Sequence, residues 1–331
     1  MARHEINLAN VTKSHGYKVI DGYLKAAGFE VTPLGLGCEP LGGTDWGCTD
    51  LVQASAAVSR AFELGIRVFD TADVYGLGRS EIELSKALGV NRHKATVVTK
   101  FGVRWEQSSH KKRAVTYKDS SPAYLMEAVE SSLRRLNLET IPVYLIHWPD
   151  KNTSIDDTLD ALERLRVQGK IISYGLSNFD SKSIESSVQN YNISVVEQPY
   201  NLVEREKLEQ VSNVLESSNV LSFSYGPLAQ GLLTGKYTND TKFDNSDRRH
   251  RLPHFSPQMW GRNKNLLDSL EILGEKYNKT ISQVALRWVL DSGRVDSVIV
   301  GAKSCKQIEE NYSALGWSLS KEDVSKLSMI Q

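Results

Sequence analysis

Arg67-Val68-Phe69-Asp70, Thr96-Val97-Val98-Thr99-Lys100 and Val143-Tyr144-Leu145-Ile146-His147 follow one pattern: an apolar, strand-like run that ends on a single chemically capable side chain. The pattern returns in Ser173-Tyr174-Gly175-Leu176 before Ser177 and Asn178, in Ser194-Val195-Val196-Glu197 before Gln198, in Val220-Leu221-Ser222-Phe223-Ser224 before Tyr225, and in Val298-Ile299-Val300 before Gly301. Functional groups at the C-terminal ends of many parallel strands open onto one face, which is how a closed (β/α)8 barrel assembles a site.

Outward from those strands the chain alternates. A first strand reads Pro33-Leu34-Gly35-Leu36-Gly37, and the helix over 50–64 carries Leu51, Ala54, Val58, Ala61 and Phe62 on one face. Asp50 is placed to cap its start and Gly65 its end. Helical patterns over 80–88, 122–136, 155–168, 182–190, 204–217, 263–277, 281–291 and 305–314 follow the successive strands. An open doubly wound sheet would usually show GxGxxG after its first strand, and Gly35-Leu36-Gly37-Cys38 does not provide it. The expected fold is therefore α/β, a (β/α)8 TIM barrel with long loops on its C-terminal face. Residues 1–30 read as an extension whose later part, Tyr23 to Val31, forms a hairpin plug at the barrel floor; 31–331 read as a single barrel domain. The loop from Leu228 to Arg262 is long enough to be a functional lid.

Composition narrows the function. Lys+Arg and Asp+Glu are both 40 in 331 residues, so no basic excess points to nucleic acid or an anionic membrane. Three separated cysteines, Cys38, Cys48 and Cys305, form no CxxC, and neither a disulfide framework nor a metal site is expected. Met1 to Lys18 has no signal-peptide apolar stretch and no run is long enough to span a bilayer, so the expected location is cytoplasmic. The oligomeric state is not legible.

Asp70, Tyr75, Lys100 and His147 fall at the ends of neighbouring strands or just after them, and strands lie about 4.8 Å apart. Such a set suits proton delivery to a carbonyl oxygen. A nearby ammonium is expected to lower a phenol's pKa from its usual ~10. Taken singly, Asp70–Lys100 reads as a buried structural ion pair and His147 as a core histidine. Together on one face they read as a site.

In the contexts FDTADVYG, VVTKFG and LIHWPD these four residues resemble the Asp-Tyr-Lys-His tetrad of the aldo-keto reductases. GLSNF (175–179), EQPYNLVER (197–205), SYGPLAQGLLTGKY (224–237) and VGAKSCKQIEEN (300–311) resemble further family signatures, nearest to the bacterial and plant members with long loops, including the inositol-cluster oxidoreductase type. The resemblance spans about Val31 to Met329. It implies NADP(H)-dependent reduction of a small-molecule aldehyde or ketone, with Tyr75 as the acid, Lys100 and Asp70 tuning it and His147 orienting the carbonyl. It implies that Ser177, Asn178 and Gln198 hold the nicotinamide carboxamide while Tyr225 stacks on the ring.

For the phosphates, the loop Gly226, Pro227, Leu228, Ala229, Gln230 and Gly231 offers backbone N–H groups, and Gly301 to Ser304 opens a helix whose N-terminus attracts anions. By resemblance Lys303, Ser304 and Gln307 meet the adenosine 2′-phosphate and Glu310 and Asn311 the adenine. Gln307 stands where some members have arginine, and Gly226 where serine is frequent.

Trp46, Trp105, Trp148 and Trp260 are expected to line an apolar substrate pocket. Asp247-Arg248-Arg249-His250-Arg251 reads either as a solvated loop or as a clamp on an anion, and His110 to Arg113 as a surface loop tip. The rivals are a dedicated ketosugar reductase or cyclitol dehydrogenase and, from another class, a cofactor-binding regulatory subunit, which the intact tetrad disfavours.

Overall fold

The computed structural model describes residues 18–20, 23–26, 28–44, 46–47, 49–106 and 114–330. Cys48 and the segment from His110 to Arg113 lie outside the described residues. The strands run in chain order β1 (Lys18–Ile20), β2 (Tyr23–Ala26), β3 (Phe29–Val31), β4 (Leu34–Gly37), β5 (Val68–Asp70), β6 (Thr96–Phe101), β7 (Val103–Trp105), β8 (Thr116–Lys118), β9 (Ile141–Ile146), β10 (Ile171–Ser177), β11 (Val195–Pro199), β12 (Leu221–Tyr225) and β13 (Ser297–Gly301). The helices are α1 (Leu51–Glu63), α2 (Arg79–Leu88), α3 (Pro122–Leu136), α4 (Ile155–Val167), α5 (Ser181–Asn190), α6 (Glu206–Ser217), α7 (Pro257–Tyr277), α8 (Ile281–Asp291), α9 (Cys305–Tyr312) and α10 (Lys321–Met329).

β4, β5, β6, β9, β10, β11, β12 and β13 close into a parallel barrel, with β13 pairing back onto β4 through Val298–Leu34 and Gly301–Gly37. This is the (β/α)8 barrel that the strand ends predict. Alternation along each strand sets the interior. Val68, Val98, Val143, Leu145, Val195, Leu221, Phe223 and Ile299 form one buried cluster inside the ring, and Phe29 and Val31 of β3 join it. The antiparallel β2–β3 pair thus closes one end of the barrel. A second cluster, between strands and helices, holds the outward residues such as Phe69, Val97, Tyr144 and Leu176.

Close approach fixes one strand pair. A Cβ on Gly175 would lie 1.8 Å from the Val195 carbonyl oxygen, so only glycine lets β10 meet β11 at that level.

Three features depart from the expectations. α7 begins at Pro257, before Asn263, because Pro257 suits the first helical turn and Gly261 is carried inside the helix. β7 and β8 form an antiparallel pair between β6 and α3, where the sequence pattern predicts no strand. α10, capped by Ser320 through Asp323 N, was not anticipated.

Candidate active site

The same alternation that fills the barrel with valine delivers polar groups to its mouth. Asp70 follows Val68 on the inward face, Lys100 follows Val98, His147 follows Leu145, Ser177 follows Gly175, Glu197 follows Val195 and Tyr225 follows Phe223. Lys100 is 1 % exposed. Its ammonium pairs closely with Asp70, donates to the Thr71 carbonyl at 3.1 Å, and lies 3.4 Å from Glu197 Oε1.

Tyr75 sits on a tight turn after β5. Its N–H donates to the Ala72 carbonyl at 3.2 Å and its carbonyl accepts from Ser80 N at 3.1 Å. The next residue, Gly76, has φ +59°, and a Cβ there would fall 2.3 Å from the Gly42 carbonyl oxygen. That glycine lets the turn pack against the short helix Glu39–Gly42 and fixes where the phenol projects. The Tyr75 ring meets the His147 ring edge-on with centroids 5.7 Å apart, and Lys100 Nζ is 5.8 Å from the Tyr75 centroid. The structure brings Asp70, Tyr75, Lys100 and His147 together.

The electrostatics differ from the expectation on one point. The Tyr75 phenol is pushed well above its usual value, first by burial and then by Glu39, Asp70 and Glu197, against a smaller opposing effect of Arg248. The Lys100 charge is set against two carboxylates, so the trio as a whole does not make the phenol more acidic. Burial opposes the Lys100 cation, yet Asp70 and Glu197 outweigh it and raise the ammonium. Burial pushes the Asp70 carboxyl up, Glu197 adds to that and Lys100 resists it. Burial, with Lys100, Arg248 and Lys118, drives His147 down, so its ring is neutral near pH 7. A protonated phenol beside a neutral imidazole is an acid with a hydrogen-bonding neighbour, ready for an oxygen that gains negative charge.

A cavity of about 1170 Å³ runs from this group along the barrel mouth. Asp70, Tyr75, His147, Trp148, Asn178, Glu197 and Tyr225 line one part; Gly226, Pro227, Leu228, Gln230, Gly231, Gly301, Lys303, Gln307, Glu310 and Asn311 line the rest. Ser177, Gln198 and Ser304 stand behind that wall. Asn178, at φ +67°, turns the chain after β10; its Nδ2 donates to the His147 carbonyl at 2.9 Å and to Ser177 Oγ at 3.0 Å, and its Oδ1 accepts from the Tyr225 hydroxyl at 2.7 Å. Gln198 Nε2 donates to the Phe179 carbonyl at 2.7 Å. Gln198 Oε1, His147 Nδ1 and Glu197 Oε2 are buried without a hydrogen-bond partner among the described residues. Orphaned polar atoms beside a long cavity fit a ligand that brings an amide and a ring.

At the far end Ser304 caps α9, accepting from Gln307 N at 3.4 Å, while Gln307 Oε1 takes the Lys303 N–H at 2.7 Å. Gln230 and Gly231 both have positive φ inside the turn Ala229–Thr234, which opens their backbone toward the cavity. The groups present therefore fit an extended dinucleotide.

The arginine-rich segment is not a solvated loop. Arg248 donates to Glu39 Oε1 at 2.6 Å, Asp247 forms an antiparallel bridge with Trp46, and Arg249 pairs with Asp247 and Tyr237. These contacts strap the loop before α7 across the cavity. Trp46 lies beneath Arg248 and Lys303, whose charges sit 5.6 and 5.8 Å from its ring centroid. Trp148 lines the cavity and stacks on His147 at 6.2 Å. Trp105, on β7, and Trp260, packed against the hydrophobic core from α7, do not line it.

Glu197 is a site residue that the strand-end pattern does not single out: that pattern points to Gln198, but the two-residue period turns Val195 and Glu197 into the barrel.

A parallel barrel whose mouth gathers an acid, a buried ion pair and a dinucleotide-length cavity defines the class: a barrel oxidoreductase. The chain belongs to the aldo/keto reductase family, whose model matches residues 33–331. It is 32 % identical to the aldo-keto reductase YhdN of Bacillus subtilis (strain 168) over 306 residues, covering 92 % of this chain and 91 % of that protein. It is 30 % identical to the NADH-specific methylglyoxal reductase of Escherichia coli (strain K12), covering 88 % and 92 %. The solved structure of the glycerol dehydrogenase AKR11B4 from Gluconobacter oxydans superposes with a TM-score of 0.84 at 35 % identity, covering 91 % of each chain. The family is one of nicotinamide-dependent oxidoreductases acting on small carbonyl compounds. No helix among the described residues is long and apolar enough to cross a membrane.

Proposed function

We propose that the chain reduces an aldehyde or ketone to the alcohol using NADP(H), with Tyr75 as the general acid. The observation that carries this reading is the Tyr75–His147 edge contact at 5.7 Å over the buried Lys100–Asp70 pair. The bound reduced cofactor supplies the hydride. The Tyr75 hydroxyl donates its proton to the carbonyl oxygen as charge develops there, and its raised pKa keeps that proton in place at neutral pH. His147, neutral, shares that oxygen and orients it. Lys100 offers a fixed positive charge that stabilises the tyrosinate left behind. Ser177, Asn178 and Gln198 would hold the carboxamide, Tyr225 would face the ring, and residues 226–231 and 301–311 would take the pyrophosphate and adenosine.

The relatives named for glycerol and methylglyoxal suggest a short, oxygen-rich carbonyl compound. Glu39 and Arg248 on the cavity wall are suited to hydroxyl groups on such a molecule. Preference for NADP(H) rests on Lys303 at the α9 N-terminus. Incubating purified protein with NADPH or NADH and a panel of nitrobenzaldehyde, glyceraldehyde, methylglyoxal and ketosugars tests the reading. Loss of absorbance at the nicotinamide band is expected with NADPH; tight binding without turnover on any carbonyl would overturn it.

A further inference from the structure

Glu197 has no place in the mechanism above, yet it touches the centre of it. Oε1 is 3.4 Å from Lys100 Nζ and accepts from Ser177 Oγ at 3.3 Å. Ser177 Oγ accepts from Asn178 Nδ2 at 3.0 Å, and Asn178 Oδ1 accepts from the Tyr225 hydroxyl at 2.7 Å. An unbroken line of contacts therefore runs from Tyr225 and Asn178, through Ser177 and Glu197, to Lys100 and Asp70.

The charge count is unusual. One lysine stands between two carboxylates, all three almost fully buried. Fully ionised, the trio carries one uncompensated negative charge in a place where such a charge is costly. A glutamine could make the same hydrogen bonds without that cost, so hydrogen bonding alone does not account for an acid here. The other titratable groups around it do not supply the missing positive charge. Cys38 after β4, Tyr75 after β5 and Tyr225 on β12 are neutral in their protonated forms, His147 is held neutral, Glu39 and Glu204 are acidic, and Arg248 is engaged with Glu39.

We propose that Glu197 is a positioning residue, which holds Lys100 as a cation beside Tyr75 and joins it to the Asn178–Tyr225 side of the cavity where the nicotinamide would lie. The inference rests on the carbonyl-reductase reading and deepens it. The chemical setting of the acid then answers to a carboxylate on a third strand, as well as to Asp70.

The test compares wild type with Glu197→Gln and Glu197→Asp. Glu197 pushes the Tyr75 phenol upward, so Glu197→Gln is expected to move the alkaline limb of the kcat–pH profile to lower pH. Glu197→Asp keeps the charge and should leave that limb close to its wild-type position. A second readout needs no cofactor. The Asp70 carboxyl is raised in the folded protein by burial and by Glu197, so stability falls as pH rises from the unfolded value near ~4 through the folded one. Glu197→Gln weakens that fall. Its melting temperature relative to wild type should therefore climb as pH rises above the unfolded carboxyl value near ~4. A uniform loss of kcat with an unmoved limb, a melting difference flat in pH, or a Glu197→Gln chain that does not fold would each overturn the proposal. Wild type inert toward every carbonyl would sink the functional reading alone, because the melting series still decides Glu197.

Discussion

The ammonium group of Lys303 donates to the carbonyl oxygen of Trp46 at 2.8 Å, tying the helix N-terminus after the last barrel strand to the loop after the first. The same loop is bridged to Asp247, and Glu39 just before it to Arg248. Three segments far apart in sequence thus meet over the cavity, and Lys303 is positioned by the main chain.

If that lysine meets the 2′-phosphate, its removal should discriminate between cofactors. A hydrogen bond to a charged group is worth roughly 1.5–3 kcal/mol. Lys303→Ala should then weaken NADPH by about tenfold to a hundredfold and leave NADH nearly unchanged. Fluorescence titration of both cofactors measures this. Equal losses for the two would place Lys303 on the pyrophosphate or in the strap alone.

Much of this arrangement was legible and some of it was not, for physical reasons. Valine-rich runs ending in Asp70, Lys100 and His147 carry both the period of the strand and the chemistry of its end, so the barrel and three of the four grouped residues come from the same runs, while Tyr75 comes from the turn after β5. Glu197 escaped because the last polar residue of a strand is not always the inward one. The Arg248–Glu39 and Lys303–Trp46 contacts join residues more than two hundred positions apart, and no local pattern encodes such pairing. The β7–β8 pair is equally non-local: Val103–Trp105 and Thr116–Lys118 are each three residues long and gain their order from one another. α10 does carry a local signal, Ser320 three residues before Asp323 and then Val324 and Leu327 on one face, but it is a short one at the end of the chain.

Tyr75→Phe removes the proton and keeps the ring against His147. Turnover should fall by about 10²–10⁴, the range of general acid catalysis, with cofactor affinity and melting temperature close to wild type. Ordinary turnover in this variant would remove Tyr75 from the mechanism.

His147 gives a pH dependence with a definite sign. Burial, Lys100, Arg248 and Lys118 lower it in the folded state, so between the folded value and the unfolded value near ~6.5 the unfolded chain binds more protons. Stability therefore rises with pH through this window and is lost as pH falls below about 6.5. His147→Gln should flatten the melting curve's pH dependence there. An unchanged slope would mean that the imidazole is solvated enough to titrate normally.

Behind Lys100 lies a second buried charge. Glu81, fully buried, accepts from Arg135 Nε at 2.5 Å and from Thr99 Oγ1 at 2.7 Å, and Thr99 immediately precedes Lys100 on β6. Arg135→Ala strands that carboxylate and should cost about 3–5 kcal/mol. Replacing both partners with Glu81→Gln and Arg135→Met should cost less than Arg135→Ala alone. Chemical denaturation of the two variants decides it; a double variant no more stable than the single would show that the strain lies in packing.

The tryptophans separate binding from folding. Trp148 lines the cavity and stacks on His147, with Lys118 Nζ 5.1 Å from its ring centroid, whereas Trp260 is half-buried against the core under α7. A pocket wall contributes to ground-state and transition-state binding alike, so Trp148→Ala should raise KM for aromatic aldehydes while kcat changes little. Its melting temperature should stay near wild type because the exposed face of the ring already meets the cavity. Trp260→Ala should do the reverse. A fully buried Trp→Ala costs about 3–5 kcal/mol, and half-burial scales this to roughly 2 kcal/mol, with KM unmoved. Steady-state kinetics and a melting curve on each variant make the comparison. A higher KM in Trp260→Ala without loss of stability would bring that residue into the pocket, through a movement of α7 toward the mouth.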